Sequence, residues 1–514
     1  MHQGYLLRVA FITEVAVLVL SSLLLPLQTV RADSLPQITA VIQVDESGNA
    51  TVKITFRAIG TSRIYFTLPK FENYSICEKY GDSFINNTPS SAYFYYNSSI
   101  TLTPGANGTS ILSICYNFPY ASLLIDNQGW FMSPMLVSSP PLSIKVYVQI
   151  PNLEKVTLES PVSLRADKNG NREYVIYPEV QTYIPGRVVL EYNTLSPVST
   201  LNFTTSAGST TIIVKAPKVY GSLARRVMNV AVQAYNSLKN LTGLDLQEVF
   251  FVFYLPKQSF GGISTLGYIM GEDVNAGGKG PIMLNMALIR YAPGYLETTV
   301  IHEMIHAFLG RAGVEANDET RWLHEGIAQY LSITIAERLG YNVSDLKGEL
   351  VDASQTLYQY LNGNFSLIQS WPSDPNLIGD AYLASFYVIR NLSLTYGGYS
   401  FLENVFKAIK SYGKVRTTQD IIAVTSMAAG KNLAPLYRSW GFQHVKDWDG
   451  AISSASSPSS SNNLLSTIIL GVGLLIGILT YFLNEAVQRE IEIAKHRSVF
   501  EKIEKREAYS TFST

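Results

Sequence analysis

The stretch Leu296-Glu297-Thr298-Thr299-Val300-Ile301-His302-Glu303-Met304-Ile305-His306-Ala307-Phe308-Leu309-Gly310 decides how the rest of the chain is read. Its apolar residues recur at helical spacing, and Gly310 supplies a stop, so the segment reads as a helix. His302 and His306 stand four residues apart and therefore share one face. Two neutral imidazoles so placed can reach a single ion, and zinc accepts such nitrogens at about 2.0–2.1 Å. Glu303 lies beside them, where a carboxylate can take a proton from metal-held water. The bland alternative is a structural helix that happens to carry two histidines.

A second segment, Arg321-Trp322-Leu323-His324-Glu325-Gly326-Ile327-Ala328-Gln329-Tyr330, sharpens this reading. Glu325 follows His306 after 18 intervening residues, enough to turn the chain and lay a second helix alongside the first. Two His and one Glu leave a fourth position open, the arrangement of a catalytic site and not of a closed structural one. H-E-x-x-H followed by Glu in a W-x-x-E-G-x-A-x-Y setting resembles the gluzincin metallopeptidases, closest to the aminopeptidase N and glycyl aminopeptidase branch. The resemblance is specific over 302–330 and extends over about 200–445. It implies a thermolysin-like catalytic domain, a Zn2+ cofactor held by His302, His306 and Glu325, Glu303 as general base, and a peptide or protein substrate. It further implies a tyrosine on a later helix that holds the oxyanion, for which Tyr382 is the candidate, although the usual Y-x-K-G context is absent.

A second departure concerns specificity. The G-x-M-E-N strand with which that branch holds a free amino terminus has no counterpart between Gly261 and Asn285, where Glu272 and Asp273 are the only acids. Exo- against endopeptidase action stays open. Pro281 to Asn285 reads as an edge strand able to pair with extended substrate. Gly277-Gly278-Lys279-Gly280 lacks the spacing of a phosphate loop and reads as a turn. His324 reads as an exposed polar residue, or as a group that touches substrate or orients Glu325, and His444 as structural.

Outward from this site the chain divides into regions. Residues 33–197 alternate as strands separated by turn sequences and read as an antiparallel β-sandwich-like domain. Residues 198–448 read as the catalytic domain, strands first and helices after, hence α+β. Here Thr210 to Lys215 and Val249 to Leu255 are strands, and a helix capped by Ser222 runs to about Asn240. A Ser-rich linker covers 449–463. Residues 464–483 are 20 without a charge, which is long enough for one transmembrane helix. Lys and Arg beyond it mark 484–514 as a cytoplasmic tail. Residues 1–32 have the layout of a signal peptide, with a retained anchor as the alternative.

The bulk properties agree with an exported protein. At 514 residues the chain needs more than one domain, and a net charge of -1 gives no reason to propose nucleic acid as a partner. Cys77 and Cys115 are the only cysteines and would pair in an oxidising compartment; two buried thiols are the alternative. Ten Asn-x-Ser/Thr sequons all fall before the apolar C-terminal run, as in a surface glycoprotein. The sequence thus predicts a multidomain fold: an N-terminal β-sandwich-like domain, an α+β thermolysin-like zinc peptidase domain and one C-terminal transmembrane helix. It predicts a single-pass cell-membrane protein with its catalytic domain outside. The rival reading is an inert surface glycoprotein that scaffolds or adheres.

Overall fold

The computed structural model describes residues 35–450, apart from 71–72, 90–93, 178–183 and 261, together with 469–470. In the first strand, Gln37–Val44, side chains alternate so that Ile38, Ala40, Ile42 and Val44 are buried. Period-two patterning of this kind lays one face of each strand on a core. Seven strands form one sheet in the order Arg165–Ala166, Asn171–Ile176, Ile144–Gln149, Gln37–Val44, Ala50–Ile59, Thr109–Phe118 and Ser75–Tyr80. A four-stranded sheet (Asp82–Pro89, Tyr95–Thr103, Ser62–Pro69, Ser138–Ser139) faces part of the same core, where Phe56 and Phe66 meet edge to face at 5.1 Å. Cys77 and Cys115 are disulfide-bonded across the last two strands of the large sheet.

The predicted two-sheet antiparallel sandwich needs correcting. A third sheet, Leu153–Ser160, Val189–Val198 and Ser122–Met132, is hydrogen-bonded to neither of the other two, although its Phe131, Leu190 and Tyr192 lie in the same core. Gln37–Val44 runs parallel to Ile144–Gln149, with Ile38 opposite Ile144. Alternating hydrophobicity tells which face of a strand is buried but not which strand lies beside it. The chain between these two strands builds other strands first, and its return is parallel.

The second region is built on a mixed sheet, ordered Thr200–Ala207, Thr210–Pro217, Glu248–Tyr254, Pro281–Asn285, Gly267–Met270 and Ile469–Leu470. The helix Gly221–Thr242 connects Thr210–Pro217 to Glu248–Tyr254, which pair in parallel, Ile212 opposite Val249. This crossover means that strands and helices are not cleanly segregated, as the simple α+β expectation had them. The Ser222 cap is absent too: the helix begins at Gly221 with no side-chain cap. Pro281–Asn285 is internal, bonded to a strand on each side, so it is not the predicted edge. Gly267–Met270 lies outside it.

The predicted transmembrane helix falls on residues of which only two are described, and at those two the structure has a strand instead. No helix among the described residues is long and apolar enough to cross a membrane. Of 464–483, only Ile469 and Leu470 are described, and they form a short strand antiparallel to Ile269 and Met270. An apolar run carries no record of whether its backbone groups bond within a helix or across strands. The predicted signal peptide over 1–32 and tail over 484–514 lie outside the described residues, as does the linker beyond Gly450.

The remaining helices include Tyr295–Ala312, Arg321–Arg338, Ser344–Tyr360, Pro375–Thr395, Tyr399–Tyr412 and Thr418–Ala429. Most buried apolar residues of 33–197 form a core of their own, and a few join the core of these helices. Leu123, Trp130, Met132 and Val189 share one core with these helices, and the buried Arg290 guanidinium donates to the Tyr120 carbonyl while lying 5.2 Å from the Trp130 ring centroid. Gly310 does not end its helix, which continues to Ala312 and stops at Gly313, φ +106°. A Cβ on Gly310 would fall 2.2 Å from the carbonyl oxygen of Val274, so this glycine allows the short helix Gly271–Asn275 to approach.

Gly310→Ala should therefore destabilise by about 1–3 kcal/mol, the cost of overpacking. Gly348→Ala, at an exposed helical position with nothing within 4 Å, should stabilise by about 0.4–1 kcal/mol. Urea-unfolding midpoints of the two variants are expected to move in opposite directions; shifts of the same sign would contradict this packing.

Candidate metal centre

The helix Tyr295–Ala312 is buried on every side from Tyr295 to Leu309, so its polar residues sit in the interior and not on a wet face. His302 is 3% exposed, Glu303 2%, and His306 and Glu325 0%. Buried carboxylates and imidazoles are costly unless paired or bound to a cation. The second helix, Arg321–Arg338, brings Glu325 to the pair. Its Oε2 lies 3.3 Å from Nε2 of His302 and 3.6 Å from Nε2 of His306. The two imidazole rings stand nearly perpendicular, with centroids 4.8 Å apart.

This approach of the two helices depends on a residue without a side chain. A Cβ on Gly326 would meet the Ser385 carbonyl oxygen and the Ile389 Cγ1, both at 2.6 Å. The glycine after Glu325 thus allows Arg321–Arg338 to close on Pro375–Thr395, which places Tyr382 behind the carboxylate.

The donor set fits a cation. Nε2 of His306, Oε2 of Glu325 and Nδ1 of both histidines are buried with no hydrogen-bond partner among the described residues. Burial holds the pKa of His302 below the usual imidazole value, favouring the neutral ring with a lone pair to offer. For Glu325 burial works toward protonation, but the neighbouring His306 and His302 outweigh it and hold the carboxyl well below the usual range. Ligand atoms of His302, His306 and Glu325 lie within 4.8 Å of one another, and this buried group can hold a metal ion. With each ring protonated at Nδ1, two Nε2 lone pairs and a carboxylate oxygen face one another, and a positive charge satisfies all three.

Glu303 is not part of that group. Burial, and then the charge of Glu325, push its carboxyl well above the ordinary carboxylate range. Its Oε2 has no hydrogen-bond partner among the described residues. Its other oxygen faces Gly267, where a Cβ would lie 3.0 Å away. The strand Gly267–Met270 therefore passes the base candidate without a side chain in between.

Tyr382, predicted to face an oxyanion, is buried, and its hydroxyl donates to Oε1 of Glu325 at 3.2 Å. The same oxygen lies 3.6 Å from Nε of Arg321. Arg321 is the residue that sequence reasoning missed, and the one available signal was a basic residue one helical turn before the acidic ligand. His324 is fully buried, with its ring centroid 5.7 Å from that of His306, and is not the exposed polar residue of one sequence reading. Burial, then His306, push its pKa down to about 3, so this ring stays neutral.

Other candidates fall outside the cluster. His444 is exposed. Asp273 packs against Gly280, and Glu272 is exposed at the start of the Gly271–Asn275 helix. Gly277-Gly278-Lys279-Gly280 is a tight turn with positive φ at all three glycines. A Cβ on Gly278 would clash with the Ala307 carbonyl at 2.2 Å, so the turn presses on the histidine-bearing helix.

No family model matches this chain, and no curated protein matches it. The chemistry therefore has to be argued from the site.

Removing one donor should abolish metal retention. His306→Ala and Glu325→Ala, purified as the full chain and assayed by inductively coupled plasma mass spectrometry, are expected to carry only background metal where the parent carries one equivalent. Parent-like metal content in both variants would show that the ion sits elsewhere.

Proposed function

We propose that this chain is a zinc-dependent peptidase of the gluzincin kind, with His302, His306 and Glu325 as ligands and Glu303 as general base. The observation that carries the reading is the convergence of two imidazole nitrogens and one carboxylate oxygen beside a second, unliganded carboxylate, all buried. The residue types favour zinc, since imidazole and carboxylate with an open position suit its catalytic sites. Zinc bound there supplies Lewis acidity toward water and toward a peptide carbonyl.

The protein's own residues supply the rest. Glu303 takes the proton from the attacking water and passes it to the leaving amine as the peptide bond breaks. Burial raises its carboxyl above the ordinary range, and a raised pKa makes a carboxylate a stronger proton acceptor. The bare backbone at Gly267 lets its strand lie directly against Glu303. Tyr382 is committed to Glu325, and the reading gives it no contact with substrate.

The substrate class is peptide or unfolded protein segment. The Cys77–Cys115 disulfide supports an oxidising compartment, and with the sequons it favours action outside the cytosol. Glu303→Gln should keep the metal while lowering kcat/KM on a cleaved peptide by about 10²–10⁴-fold, the usual contribution of general base catalysis. A variant that retains both metal and full activity would overturn the role of Glu303. Protein that holds zinc yet cleaves nothing in an unbiased peptide library would favour the inert scaffold instead.

A further inference from the structure

We infer that Arg321 and Tyr382 form a buried clamp on the outer oxygen of Glu325, and that this clamp sets the affinity of the site for its metal. The inference rests on the zinc reading above and adds two positioning residues to it.

A carboxylate ligand has two oxygens, and the geometry divides their work. Oε2 of Glu325 faces the imidazoles, at 3.3 Å from His302 and 3.6 Å from His306. Oε1 faces away and meets the Tyr382 hydroxyl at 3.2 Å and Arg321 Nε at 3.6 Å. Nη2 of Arg321 in turn donates to the Tyr382 oxygen at 3.5 Å, so two hydrogen bonds and one ion-pair contact link guanidinium, phenol and carboxylate. The network is braced from outside. The Arg321 guanidinium lies 4.7 Å from the centroid of Trp371, whose ring meets Tyr382 edge-on at 5.0 Å.

The burial makes this arrangement informative. Arg321 is 9% exposed and Glu325 0%. Desolvating a guanidinium is expensive, and an apolar residue of similar length is often no worse for stability. A buried arginine on the far side of a metal ligand therefore has a task beyond packing. It fixes the carboxylate rotamer, so that Oε2 is presented before the ion arrives and less freedom is lost on binding. Groups in this position around metal ligands typically change affinity by about 10–100-fold.

Two physical effects of Arg321 oppose each other, which makes the inference testable by sign. As a bare positive charge near a divalent cation, Arg321 would weaken binding, and its removal would tighten it. As a positioning group it strengthens binding, and its removal would loosen it. The network geometry favours the second effect.

The test is zinc affinity of the purified full chain, measured by competition with a chromophoric chelator, alongside thermal unfolding of the metal-free forms. Arg321→Met is expected to raise the zinc Kd by about 10–100-fold, and Tyr382→Phe to raise it by roughly tenfold. Arg321→Lys, which keeps the charge and loses the fork, should fall between parent and Arg321→Met. Folded Arg321→Met with a Kd within about twofold of the parent, or tighter, would overturn the clamp, since positioning groups act on the scale of tenfold or more. Should Arg321→Met fail to fold, Tyr382→Phe decides, because it deletes a single oxygen; an unchanged Kd there overturns the inference equally. Parent protein that binds no zinc would overturn the metal reading and the clamp with it. Parent protein that binds zinc with the expected variant losses but cleaves no peptide would leave the clamp standing and sink only the peptidase reading.

Discussion

Two imidazole nitrogens and a carboxylate oxygen meet in the buried interior of this protein within 4.8 Å of one another. Such a cluster is costly to desolvate, so the surrounding fold must hold it in place, and a cation is well suited to complete it. Much of the second region can be understood from that constraint. One helix buried all round carries the histidines, and a second helix carries the acid. Both are pressed into place by packing over long stretches and not by local propensity.

Three glycines allow this pressure to be applied at short range. Gly326 lets the acid-bearing helix touch the helix of Tyr382, Gly278 lets a turn rest on the carbonyl of Ala307, and Gly310 lets the Gly271–Asn275 helix come within contact. At each point a methyl group would push the helices apart. The site is thus assembled by close backbone approach. The β region joins the same core through Trp130 and Arg290, and Glu191 Oε1 accepts the backbone N–H of Gln258, ahead of the strand that passes Glu303. It is part of the frame around the site.

The centre was legible in the sequence because its information is local. Four-residue spacing puts His302 and His306 on one helix face whatever surrounds them, and Glu325 stands in a short recognisable segment. What escaped notice depends on tertiary contact. The spacing of Arg321 and Glu325 hints at their contact, but nothing in sequence says that Tyr382, 61 residues after Arg321, joins them. Gly310 looked like a helix stop because a glycine at a helix end and a glycine at a close contact are indistinguishable in one dimension. The parallel pairing of Gln37–Val44 with Ile144–Gln149, the internal place of Pro281–Asn285 and the strand at Ile469–Leu470 were missed for a related reason. Residue type reveals burial, whereas hydrogen-bond partners are chosen by the whole chain.

The most direct test of the central claim is zinc K-edge X-ray absorption on the purified full chain. Fitting of the spectrum should return two imidazole nitrogens and oxygen ligands at about 2.0–2.2 Å, with no sulfur. A first shell without imidazole scattering, or one containing sulfur at about 2.3 Å, would contradict it.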